Sequence, residues 1–292
     1  MVSTAKTAAG SSHLDLADLD APAAAPRRGL VIGNSYAIAL KDGLEDSELP
    51  CRQDFSFLCA PGSELKVDVR DGVIRPTSER SMSFLAQGLP DGDMRIEDYD
   101  IFVLAGLNVS AGQTGRVYRS WRMAKHAPAG SVALISRPAL RAAVEGLLRK
   151  TIAHRVAMQL RAWTAKPIVI VPQPNPIERL LTVERTTERL QETYERWSLY
   201  ADSDMALELY DVFVEAAERA FGEIPATFRE QPPSTRNGFF TRDDYQMKLR
   251  TTYDRSLQTP NAVEDVTHMN ADFGRLTMEL LWAEFSAEAA VR

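Results

Sequence analysis

Two rhythms of apolar and polar residues alternate along this chain. The first is the short unbroken apolar run. Leu30-Val31-Ile32 closes on Gly33, Asp100 to Ala105 (DIFVLA) stops at Gly106, and Pro167 to Val171 (PIVIV) ends in PQPNP. Runs of this length bounded by Gly or Pro read as strands buried on both faces, as in a parallel sheet. Asp54 to Cys59 (DFSFLC) is a fourth, aromatic-rich strand, closed by Ala60-Pro61-Gly62. Leu65 to Val69 and Val73 to Pro76 flank Asp71-Gly72, a hairpin-turn pair. Ser131 to Ile135 is a further short strand.

The second rhythm is helical. It starts behind Ser35 and runs to about Gly43, and returns from Arg137 to Trp163 with Pro138 tolerated in the first turn. Two amphipathic helices follow at roughly Ile177 to Leu199 and Asp204 to Phe221, each with one apolar face. Gln231 to Asn261 is polar and irregular. A last helix spans about Ala271 to Ala287, with Asn270 placed to cap it. Strands separated by helices predict an α/β fold with three α/β/α layers and a mainly parallel sheet. The expected organisation is a disordered tail over residues 1–28, rich in Ala, Ser and Asp, and one domain over 29–292. The helices of about 177–221 form an insertion or side layer of that domain.

Composition narrows the partners. The formal net charge of -6 over 292 residues argues against nucleic acid or an anionic membrane as the main partner, while leaving room for a local basic patch. The two cysteines, Cys51 and Cys59, have no CxxC spacing, which leaves room for a single disulfide but excludes a disulfide framework or a cysteine zinc site. No run approaches the roughly 18 apolar residues of a membrane span. The first 28 residues lack the apolar core of a secretory signal, so a cytoplasmic location is expected. HExxH, GxSxG and GxxxxGK are all missing from the sequence, and no metal or other cofactor is expected.

Three small constellations could carry chemistry. Ser35 follows Gly33-Asn34 where a strand passes into a helix, the edge of an α/β sheet at which ligands gather. Helix amides beneath it favour negative charge, a setting for a nucleophile that generates an oxyanion. The same position equally suits a simple helix cap. Asp265-Val266-Thr267-His268 puts a carboxylate within one helical turn of an imidazole, able to fix its tautomer; the alternative is a surface turn. Gly106-Leu107-Asn108 offers an amide donor at the sheet edge, or an ordinary turn asparagine. Gly62 could present a backbone N–H there, or serve only its turn.

In order along the chain, these are Gly-Asn-Ser, a glycine after the second strand, Gly-x-Asn after the third and Asp-x-x-His before the last helix. That series resembles the SGNH hydrolase family, the GDSL-type esterases, over the domain from about Gly29 onward. The resemblance implies a flavodoxin-like α/β/α fold and metal-free hydrolysis of carboxylic esters on lipids, glycans or small molecules. It assigns Ser35 as nucleophile and His268 as base, with Asp265 orienting His268. Ser35, Gly62 and Asn108 would form the oxyanion hole. Two positions depart from the family pattern: Asn34 stands where Asp is usual, and Val109 where the third block usually ends in Asp. The expected substrate is a small-molecule or glycan ester. An acyltransferase would use the same covalent intermediate, and a non-catalytic SGNH-like binding or assembly protein would keep only the fold. Oligomeric state is not legible.

Overall fold

The computed structural model describes residues 28–49, 55–60, 65–77, 94–127, 133–247 and 265–290. The expected tail over 1–28 therefore falls almost wholly outside the described residues, as do Cys51 and Gly62. Five parallel strands form the central sheet: β1 (Gly29–Gly33), β2 (Phe55–Cys59), β6 (Ile101–Ala105), β7 (Ile168–Val171) and β8 (Thr227–Phe228). Their order is β8-β7-β6-β1-β2. Three short antiparallel strands stand apart as β3 (Val67–Arg70), β4 (Val73–Pro76) and β5 (Met94–Arg95). The Asp71-Gly72 turn joins the first two of these, with both residues at positive φ, as the sequence predicts.

Successive residues of the central strands serve opposite faces. Leu30, Ile32, Phe102, Leu104, Ile168 and Ile170 enter one core, while Val31, Ile101, Val103, Val169 and Val171 enter the other. A sheet buried on both sides needs such apolar runs, and helices cover each face. The first face takes α3 (Arg137–Leu148), α4 (Ile152–Arg161) and α6 (Ser203–Gly222). The second takes α1 (Tyr36–Glu45) and α7 (Ala271–Ala290). The result is a three-layer α/β/α domain. The segment expected as a helical insertion is the crossover from β7 to β8, and α6 belongs to the covering layer.

Two helices differ from their expected bounds for local reasons. The long helix from Arg137 breaks because Thr151 hydrogen-bonds both ways. Its hydroxyl donates to the Leu148 carbonyl at 2.6 Å and accepts from the His154 amide at 3.2 Å, ending α3 and capping α4. The helix expected from Ile177 starts only at Glu188, as α5 (Glu188–Trp197), where the Thr187 hydroxyl caps the Leu190 amide.

Chain order makes a switch point. From β1 the chain moves to β2 on one side and then to β6 on the other, so the crevice at the C-terminal ends of β1 and β6 lies open to a ligand. The helices leaving this crevice are held unusually close. A side chain at Gly274 would run into the backbone of Ala39, and one at Gly43 into the backbone of Gly274 and Arg275. Tyr36 adds an edge-on contact with Phe273 and a hydroxyl contact with Thr277 at 3.4 Å. Thus α1, which starts behind Ser35, is locked to α7, which starts behind His268. Gly274→Ala should push the two helices apart. We expect a loss of at least about 1–3 kcal/mol, the usual cost of overpacking, with a lowered kcat. Chemical denaturation alongside an ester assay checks this; a stability within 0.5 kcal/mol of wild type, the order expected for a neutral surface change, would contradict it.

Candidate active site

The turn after β1 frees the Ser35 hydroxyl. The side chain of Asn34, not that of Ser35, caps α1: Asn34 Oδ1 accepts from the Tyr36 amide at 3.0 Å, and Ser35 makes no side-chain cap bond. The cap expected as the simpler role of Ser35 is therefore supplied one residue earlier. Gly33 keeps ordinary strand angles, and what it lacks is room, since a Cβ there would sit 2.6 Å from that of Ala37. The positive φ belongs to Gly106, at 76°, where a Cβ would meet Asn34 Oδ1 at 2.5 Å. The two strand-end turns interlock through that Asn34 amide.

Across the crevice, Asp265 organises its own turn. Its Oδ1 accepts the amides of Thr267 and His268 at 3.2 and 3.1 Å. The segment is clipped to the body of the domain where Ile177 N donates to the Val266 carbonyl, Met247 N to that of His268 and Asn270 N to that of Tyr245. The ring follows: His268 Nδ1 lies 2.7 Å from Asp265 Oδ2, and Nε2 lies 3.1 Å from Ser35 Oγ. All three side chains are half-buried or nearly so. Burial opposes ionisation of Asp265, but the hydrogen bond and charge of His268, with the two backbone amides, outweigh it and hold the carboxyl at about 2. An ionised Asp265 can only accept, so Nδ1 carries the proton in neutral His268 and Nε2 presents its lone pair to the Ser35 hydroxyl.

This row opens into a cavity of about 870 Å³ whose walls include Asn34, Ser110, Gln113, Gln173, Trp197 and Thr267. Among the described residues no acceptor takes the Ser35 backbone N–H, and Asn34 Nδ2 is left uncommitted once Oδ1 is used for the cap. Asn34 is the residue at this site that sequence reasoning passed over, because its position was weighed only as a departure from a family pattern. Of the four tryptophans, Trp197 is the one in this wall, packed on Tyr200 and Phe239. No group of three or more His, Cys, Asp or Glu side chains suited to a metal occurs among the described residues, and no described helix is long and apolar enough to cross a membrane.

Asn108 stands apart from the row. It is exposed at φ 68°, between the buried side chains of Leu107 and Val109, and it is not among the cavity-lining residues. Taking both neighbours into the core turns Asn108 outward, where its carbonyl accepts from Gln113 Nε2 at 3.2 Å. Asparagine tolerates this left-handed backbone better than alanine. Asn108→Ala is therefore expected to cost about 1 kcal/mol of stability and to change kcat little. Parallel melting and kinetic measurements check it. A loss of kcat on the order of 10²–10³, typical of a removed oxyanion donor, would put Asn108 back in the site.

No family model matches this chain, and no curated protein does. A solved structure, the periplasmic domain of a lipopolysaccharide acetyltransferase from Salmonella ser. Paratyphi A, aligns over 89% of this chain and 84% of that one, at 10% identity and a TM-score of 0.36.

Proposed function

We propose that this chain is a serine-dependent hydrolase of carboxylic esters, of the SGNH type. One observation carries the reading: the hydrogen-bonded row Ser35–His268–Asp265 at the switch point of a parallel sheet, open to a cavity. Ser35 Oγ attacks the acyl carbonyl while His268 Nε2 takes its proton. Asp265 holds the tautomer and balances the imidazolium. Among the described residues, the Ser35 backbone N–H and Asn34 Nδ2 are donors that can serve the oxyanion. Collapse of the tetrahedral intermediate expels the alcohol, which receives the proton from His268 and leaves an acyl-serine. Water then attacks the acyl-serine with His268 again as base, releasing the acid and restoring Ser35. An alcohol in place of that water would turn hydrolysis into transfer.

The pH dependence tests the assignment of the base. Only neutral imidazole accepts the serine proton, so kcat/KM for a short aryl ester should rise with pH through one ionisation. A flat profile from acid to neutral pH, with chemistry limiting, would count against His268.

A further inference from the structure

The cavity above Ser35 has a charge unlike that of the chain. Arg116 and Arg119 reach it from α2 (Gly112–Tyr118) and the residue after it, and Arg189 and Arg196 from α5. Against these four arginines the described residues of the wall include two carboxylates, Glu192 and the Asp265 already engaged by His268. This is the reverse of the whole chain, in which carboxylates outnumber Lys and Arg by 40 to 34.

Elsewhere several arginines are neutralised by carboxylates. Arg137 and Arg141 share Glu215, Arg149 bridges Glu145 and Glu223, Arg179 meets Asp243, and Arg275 meets Glu279. Among the described residues the four cavity arginines have no ion pair, side-chain hydrogen bond or ring contact. On α5 the spacing is regular: Arg189, Glu192, Thr193 and Arg196 follow the three-and-four repeat of one helix face, while Leu190 and Trp197 are buried. Arg189 and Arg196 are two turns apart, about 10 Å along the axis. That exceeds the reach of one small carboxylate.

We propose that this cavity binds a soluble ester whose alcohol or acyl carrier bears a phosphate or diphosphate group, gripped by Arg116, Arg119, Arg189 and Arg196 while its acyl carbonyl lies at Ser35. Guanidinium groups match phosphate oxygens in paired hydrogen bonds, and a positively lined cleft gathers anions from solution. A cavity of about 870 Å³ has room for such a molecule, since ligand sites run to roughly 300–1,000 Å³. The inference rests on the ester-hydrolase reading only for the bond that is cleaved.

The test separates the two. Calorimetric titration with inorganic pyrophosphate should show binding to wild type and, with the same affinity, to Ser35→Ala. Binding should weaken about tenfold or more in Arg189→Gln/Arg196→Gln and decline as salt is raised. Arg116→Gln/Arg119→Gln repeats the test from the other wall should the first pair fail to fold. Pyrophosphate should also raise KM for a neutral aryl ester in wild type while kcat is kept. Absence of pyrophosphate binding to wild type, or equal binding by a folded double variant, overturns the anion site even if Ser35 proves to be the nucleophile. Arginine-dependent binding sustains the site even if Ser35→Ala still hydrolyses the ester. Sedimentation with phosphatidic-acid vesicles in the absence of pyrophosphate binding would also overturn it, in favour of a lipid surface.

Discussion

Replacing Ser35 with alanine is expected to remove ester hydrolysis while leaving the fold intact. Loss of a serine nucleophile from such a row costs on the order of 10⁴–10⁶ in kcat. The stability cost should be small, about 0.5 kcal/mol or less, the range for a side chain outside the core and its caps. A Ser35 that capped α1 would cost more, but Asn34 makes that bond. The two positions thus separate. Ser35→Ala should strike turnover and spare the melting temperature, whereas Asn34→Ala should lower the melting temperature through the lost cap and also cut kcat, on the order of 10²–10³, through the lost oxyanion donor. Kinetics and thermal unfolding of both variants check this, and retained hydrolysis in Ser35→Ala would show that another group attacks the ester.

Asp265→Asn should have the next largest effect, a fall in kcat on the order of 10⁴. Asparagine keeps an oxygen for the amides of Thr267 and His268, so the turn survives. Its nitrogen, set against His268 Nδ1, favours the tautomer with the proton on Nε2, which cannot accept from Ser35. The variant should also lose an acid-dependent part of the wild-type stability. The Asp265 carboxyl falls from 3.8 to about 2 on folding. A depressed carboxyl stabilises the folded chain fully above its unfolded value, and that contribution fades as pH falls through the folded value. Wild type should therefore lose stability between about pH 4 and pH 2 that Asp265→Asn does not lose there. An unchanged kcat would reduce the Asp-x-x-His segment to a surface turn.

The parts of this molecule that could be read from its sequence are those whose cause is local. The strands are legible because a sheet covered on both faces needs continuous apolar runs such as Ile101–Ala105. The residues of the row could be picked out because Ser35 lies at a strand-to-helix turn and Asp265 lies three residues from His268. Asn108 shared the strand-end signature but not the outcome, since the burial of Leu107 and Val109 decides which way the residue between them faces. Thr151 gave no pattern strong enough to divide a helical run, yet two hydrogen bonds from one hydroxyl do so. The glycine contact between α1 and α7 and the arginine walls are still less local. Each joins residues roughly 70 or more positions apart, and neither half of either feature is unusual alone.

The most direct measurement of the central claim is covalent. A fluorophosphonate reacts with a serine only when a neighbouring base draws off its proton, so labelling reads the Ser35–His268 pair without knowledge of the natural substrate. Intact-mass analysis of the folded protein should show one adduct, peptide mapping should place it on Ser35, and His268→Ala should slow its formation on the order of 10³-fold or more. An unlabelled folded protein, or an adduct on another residue that persists in Ser35→Ala, would contradict the account.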